Sequence, residues 1–205
     1  MAFGGWPIEA VEFYEGLEAD NSKVYWTEHR GVYERQVKAP MEELLSELAE
    51  EFGAGTLFRP YRDVRFSADK VPYKTNCAAR IGSGYVSFSA EGLSVGSGLY
   101  MPDSAALTCY REAVDDNKAG AQLARIVATL HEGGYETMAH EVLKTAPRGY
   151  PKDHPRIELL RHKGIAMMKT FPVGAWLGTR AAKDRVVTTL RAGAPLREWL
   201  ARNVG

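Results

Sequence analysis

Three short runs between Cys77 and Tyr100 restrict what this chain can fold into. Cys77 to Ile81, Tyr85 to Ala90 and Leu93 to Tyr100 have strand-like composition, and only Gly82-Ser83-Gly84 and Glu91-Gly92 separate them. Turns this tight join antiparallel neighbours, since a parallel return needs a crossover of a dozen or more residues. An antiparallel meander is therefore expected. Gly96-x-Gly98 lies within the third run, lacks a third glycine and has no helix directly after it. It reads as strand or bulge rather than as a nucleotide-binding fingerprint.

Helical periodicity flanks the meander on both sides. Pro7 suits a first helical position, and Ile8, Val11, Tyr14 and Leu17 recur every third residue with glutamates between them. Asp20-Asn21-Ser22 supplies a break and an N-cap, after which Val24, Tyr25, His29, Val32, Tyr33 and Val37 predict a second helix. Pro40 restarts the pattern, and Met41, Leu44, Leu45, Leu48 and Phe52 predict a third helix ended by Gly53 and Gly55. Beyond the meander, Pro102-Asp103-Ser104 opens a helix carrying Leu107, Tyr110 and Val114. Another runs from about Ala119 to Leu130, stopped by Gly133-Gly134. His140 to Lys144 suits strand or helix. Asp153 is placed to cap a short helix begun by His154-Pro155, with Ile157, Leu159 and Leu160 inward. Ile165 to Phe171 reads as a returning strand, and the tail as two helices, about Thr179 to Arg191 and Pro195 to Arg202, split by Gly193. With no internal repeat or long linker, the expectation is one α+β domain over 1–205: a central antiparallel or mixed sheet covered by N-terminal and C-terminal helices. Within it, 1–56 is helical, 57–101 holds the meander, and 102–205 is mostly helical with a basic loop near 147–154.

The 205 residues are 45% apolar and 25% charged, an ordinary globular balance. There is no signal-peptide pattern and no run near the ~20 apolar residues of a membrane span, so a soluble, cytoplasmic protein is expected. Cys77 and Cys109 lie far apart and fit no zinc or disulfide framework; they read as buried, inert thiols. Zero net charge hides an asymmetry: residues 1–58 carry 12 acidic and 4 basic side chains, residues 59–205 carry 14 and 22. The plainer reading is an acidic helical part beside a basic body, each with a solvated face. The sharper one is that the basic body attracts an anionic ligand.

The densest part of that body is residues 59–75, where Arg59, Arg62, Arg65, Lys70 and Lys74 lie with Asp63 and Asp69 among aromatics. From Tyr61 to Phe66 the pattern suits a short strand, with Arg62, Val64 and Phe66 on one face. A core on that face would draw Arg62 inward and require a partner for its guanidinium. The order and spacing of Arg59, Arg62, Asp63, Arg65, Phe66, Asp69, Lys70 and Tyr73 resemble the signature of the conserved-hypothetical family catalogued as domain of unknown function 2461. The similarity extends from Asp20-Asn21 and Tyr25-Trp26, where the family often has Asn-Asn and Trp-Phe and this chain departs from it, to Pro147-Arg148-Gly149-Tyr150 and Asp153-His154-Pro155. The family has no established activity, so the resemblance locates residues without naming their chemistry.

A second basic cluster, Lys144 to Lys163, holds six Lys or Arg against two acids, with His154 and His162. Two irregular basic segments flanking a sheet can converge on one anion. In that arrangement Arg59, Arg62, Arg65, Lys70 and Lys74 hold a phosphate- or carboxylate-bearing small molecule, with Arg148 opposite and Asp63 and Asp69 orienting the cations. Tyr73, Tyr150 and His154 are then the groups for proton transfer, and the sequence leaves open whether the protein is an enzyme. The competing readings are a non-enzymatic scaffold whose salt bridges lock sheet to loops, and a nucleic-acid binder using the arginines with Tyr61, Phe66 and Tyr73. Neutral net charge and the absence of a reader motif weigh against nucleic acid. No cofactor or metal is predicted: His131-Glu132 and His140-Glu141 do not complete His-Glu-x-x-His, and there is no phosphate-cradling glycine loop or nucleophile elbow.

Overall fold

A computed structural model describes residues 2–63 and 71–205. The protein is α+β, with six strands hydrogen-bonded in the order β1-β2-β3-β4-β6-β5 and antiparallel throughout. They are β1 (Gly55–Leu57), β2 (Asn76–Ile81), β3 (Gly84–Ser89), β4 (Gly92–Leu99), β5 (Glu136–Met138) and β6 (Ile165–Pro172). The expected meander is β2, β3 and β4. Ile81 pairs with Gly84 across a two-residue turn in which Gly82 has φ +53°, a conformation that favours glycine. By contact the chain divides into two compact units: residues 1–95 with 170–188, and 96–169 with 189–205.

In the first unit, α1 (Ile8–Ala19) forms as its periodicity predicts, but Ile8 is 58% exposed. A three-residue step turns a helix by only about 300°, so a stripe built on it drifts. Of the expected stripe Val11, Tyr14 and Leu17 are buried, and Ala10 and Phe13 join them. Ser22 caps α2 (Lys23–Val32) by accepting from the Tyr25 N–H at 3.1 Å. The sequence predicts two further helices separated at Pro40; the chain instead runs on without interruption through a π-helical segment, Tyr33–Lys38, into α3 (Ala39–Phe52). Pro40 cannot donate to the carbonyl four residues back and would clash with it. Widening the preceding turn resolves this: Ala39 N–H bonds the Glu34 carbonyl, five residues back. β1 goes unforeseen because Gly55 reads as a helix stop, whereas it lies in a strand pressed against Leu45 of α3. Trp6 lies flat on Phe88 of β3, with ring centroids 5.0 Å apart, and Phe3 meets Trp6 edge-on. The Trp6 indole N–H donates to the Val37 carbonyl at 3.1 Å, tying residue 6 to the π segment. Glu47 on α3 accepts from the Phe3 N–H at 2.7 Å and pairs with Lys183 at 2.6 Å on α7 (Ala181–Ala192). Cys77 is buried as predicted, and burial pushes its thiol up to about 12.

In the second unit, α4 (Ser104–Asp115) and α5 (Asn117–Glu132) start at the side chains of Asp103 and Asp116, each accepting backbone N–H bonds. Tyr110 and Leu123 from these helices pack with Ile165 and Met167 of β6 and Trp199 of α8 (Ala194–Asn203). Cys109 is half-buried rather than enclosed, a correction that its place on an α4 flank beside fully buried Tyr110 explains. α6 (Ile157–Arg161) starts at Arg156 and not at Asp153, whose side chain caps nothing there. The Arg156 N–H is taken by the His154 ring, which closes the preceding turn in place of a cap. β5 is too short to announce itself in sequence, and Val142 opposite His162 prolongs the β5–β6 register. The ambiguity at 140–144 thus resolves as a single bridge at Val142 and no helix. Among the described residues, no helix is long and apolar enough to cross a membrane.

Candidate functional site

The ends of the 59–75 segment are held side by side. Tyr61 bridges Tyr73 antiparallel, the Arg62 N–H donates to the Pro72 carbonyl at 2.9 Å, and the Lys74 N–H to the Pro60 carbonyl at 2.8 Å. Asn21, just ahead of the α2 cap, fastens the pair from the other side. Its amide donates to the Tyr73 carbonyl at 3.2 Å and accepts from the Tyr73 N–H at 3.0 Å, as a neighbouring strand would. Trp26, one turn into α2, then stacks on the Tyr73 ring at 4.4 Å and 9°. Tyr33 and Tyr61 close on Trp26 at 4.9 and 5.9 Å. Burial, then the neighbouring Tyr61, raise the Tyr73 pKa.

Beside this aromatic cluster is a cleft of about 360 Å³ lined by Trp26, Tyr33, Phe58 and Tyr61, with Arg30, Glu34, Lys38, Glu42 and Arg59 around it. Lys38 donates to Glu34 at 2.9 Å and lies 3.9 Å from Glu42; its hydrogen bond to Glu34, then the charge of Glu42, raise its pKa. Arg30 is 3.9 Å from Glu34. Arg59 is exposed and makes no ion pair or side-chain hydrogen bond among the described residues. Lys74 stands 5.7 Å over the Phe58 ring and brings a further cation close by. Arg62 and Asp63 are exposed, so Arg62 is not drawn into a core. Arg65, Asp69 and Lys70, with Val64 and Phe66, lie outside the described residues.

Arg148, Tyr150 and His154 belong to the second unit. The His154 ring is nearly enclosed and both nitrogens are engaged: Nδ1 accepts from the Arg156 N–H at 3.0 Å, which puts the proton of the neutral ring on Nε2, 3.1 Å from the Asp115 carboxylate. Arg156 directs Nε to the Val114 carbonyl at 2.7 Å and Nη2 to the Asp115 carbonyl at 2.9 Å, closing the end of α4. Arg161 bonds the Leu143 carbonyl at 2.6 Å and Glu158 at 3.1 Å, and Lys163 pairs with Glu141 at 2.7 Å. Half of the second basic cluster is thus spent on the protein's own acceptors. Burial, then the charges of Asp115 and Glu112, raise the Tyr150 pKa. Arg148 is exposed, with no ion pair among the described residues.

This unit also holds a wider cavity of about 670 Å³ between α5, β5 and α6, where Val127, His131, Tyr135, Glu136, Ile157 and His162 converge. Burial, foremost, keeps the His162 pKa below its ordinary value. Sequence reading missed this cavity because its residues are scattered over elements joined only by folding. It also missed the roles of Asn21, Arg30 and Phe58, although Asn21 and Trp26 sit in the two N-terminal pairs that carry the family likeness. Among the described residues, no three His, Cys, Asp or Glu side chains are grouped to hold a metal ion.

The family model described as conserved hypothetical protein (DUF2461) matches residues 9–199. No curated protein and no solved structure matches the chain.

Proposed function

We propose that this chain, which belongs to the DUF2461 family of conserved hypothetical proteins, binds a small phosphate- or carboxylate-bearing molecule at the rim of the aromatic cleft. The observation that carries the reading is Arg59: an exposed guanidinium at a concave, largely aromatic surface, with no protein acceptor among the described residues. Exposed arginines on convex surface are common and mean little; one lining a cleft offers a planar fork to a carboxylate or phosphate. Lys74 adds charge beside Phe58, and Arg62, Arg65 and Lys70 belong to the same stretch of sequence, with Asp63 and Asp69 as orienting partners. Lys38 contributes little, because Glu34 and Glu42 answer it. Arg148 is an anion contact of the second unit, separate in this reading.

Two charge-assisted hydrogen bonds from the Arg59 fork, about 1.5–3 kcal/mol each and reduced by exposure, sum to about 4 kcal/mol, so a bare anion binds at roughly millimolar Kd. Thermal unfolding with phosphate, pyrophosphate and citrate at matched ionic strength tests this. Stabilisation approaches RT ln(1 + [L]/Kd), so ten times Kd gives about 1.4 kcal/mol, or roughly 3–6 °C for a chain of this length. Arg59→Ala abolishes the shift, while Arg125→Ala, an exposed position in the other unit, leaves it intact. No shift with any anion, or an unchanged shift in Arg59→Ala, overturns the proposal.

The Asn21 clamp favours a second, architectural reading, in which the signature fastens the sheet edge to α2. There, substitution at Arg59 lowers stability and alters no ligand response.

A further inference from the structure

We infer that the ligand carries a flat ring joined to its anionic group, and that Phe58 and Tyr61 form the subsite for that ring; the inference rests on the anion-binding reading above. Of the four aromatic side chains at the cleft, Trp26 already stacks on Tyr73, and Tyr33 is buried. Phe58 and Tyr61 differ. They are 39% and 46% exposed, and a pair of partly bare rings in a concavity is more informative than a lone exposed leucine on open surface.

Their backbone is held before any ligand arrives. The Phe58 N–H bonds the Ala78 carbonyl of β2 at 2.9 Å, the Pro60 carbonyl accepts from Lys74, and Tyr61 is bridged to Tyr73. Pro60 between them has its φ fixed by the pyrrolidine ring. Contacts made by rings on so constrained a segment lose little conformational freedom on binding, which is the condition for a small surface to yield useful affinity. Arg59 lies between the two rings in sequence and Lys74 stands over Phe58, so the charge that meets the anion is close to the surface that meets the ring. At about 360 Å³ the cleft is near the lower end of ligand pockets, roughly 300–1,000 Å³. It suits one ring and its substituent rather than an extended dinucleotide. The class is therefore an aryl phosphate or aromatic carboxylate, or a mononucleotide offering the same chemistry.

Calorimetric titration with phenyl phosphate and with methyl phosphate separates this inference from the reading beneath it, because the two probes carry like charge and differ in the ring. Phenyl phosphate is expected to bind about tenfold tighter, in line with the worth of a single aromatic stacking contact. Phe58→Leu and Tyr61→Leu each reduce the phenyl-to-methyl preference below threefold, whereas Arg59→Ala weakens both probes. Equal affinity for the two probes overturns the ring subsite and leaves the anion reading in place; failure of both to bind overturns both. Should either leucine variant fail to fold, the wild-type ratio alone decides.

Discussion

Replacing Asn21 with alanine tests the geometry from which the candidate site is built. Asn21 makes two hydrogen bonds to the backbone of Tyr73, a residue only 6% exposed, across 52 positions of sequence. Each such bond contributes about 1 kcal/mol net, and leaving the Tyr73 N–H and carbonyl without partners adds desolvation, so the expected loss is about 2–3 kcal/mol. For a chain of this length that lowers Tm by roughly 4–12 °C. Urea unfolding followed by tryptophan fluorescence is the assay, because Trp26 rests on the Tyr73 ring and reports its displacement. Asn21→Asp dissects the clamp: it keeps an acceptor for the Tyr73 N–H but sets a carboxylate oxygen against the Tyr73 carbonyl. At neutral pH it should therefore be no more stable than Asn21→Ala. A loss below about 0.5 kcal/mol in Asn21→Ala, typical of an unremarkable surface change, refutes the reasoning.

Glu47 accepts from Lys183 and from the Phe3 N–H, and these bonds, in that order, hold its pKa below the ordinary carboxylate value. A depressed folded pKa gives stability that is complete above the unfolded value of about 4.3 and is lost as pH falls through the folded one. The gap in urea midpoint between wild type and Glu47→Gln should be widest near neutrality and close in acid; a gap independent of pH sinks the assignment. Native thiol titration should modify Cys109 well before Cys77, whose thiol is buried and pushed up to about 12; equal rates contradict that placement. Gly92 has φ +119°, and a Cβ there would strike the Phe171 carbonyl, so Gly92→Ala should cost more than the ~1 kcal/mol of a typical substitution, measured by urea midpoint.

Much of the fold was legible in sequence because its causes are local. Helical stripes such as Val11-Tyr14-Leu17, the start of α4 at Asp103, and the glycines of the meander each act within a few residues, and each appears where the pattern predicts. Continuity from α2 to α3 was not legible, since a proline normally signals a stop and only the native hydrogen bonds show that a widened turn accommodates it. β1 and β5 are three residues each, too short for alternation to register. For the candidate site, the sequence located a stretch without its surroundings. Arg59, Arg62, Asp63 and Lys74 were identifiable from charge density. The aromatic wall was not, because Tyr33 lies on a stripe whose periodicity marks it as core, and Trp26 falls outside that stripe although α2 buries it. Nor could sequence show that Arg156, Arg161 and Lys163 are occupied by carbonyls and carboxylates, since those partners lie up to 42 residues away. Charge counted along a chain overstates the charge that a folded surface offers.

Trp6 bears on how the polypeptide can be handled. Its indole leans on Phe88 and reaches Val37, while Phe3 beside it is 1% exposed and tethered by Glu47. The opening residues are thus masonry rather than fringe. Clipping the chain after Trp6 should open a void in the first unit and leave Glu47 without its backbone donor. Ala201 and Arg202, by contrast, already face solvent, and an affinity handle joined beside them disturbs no such packing.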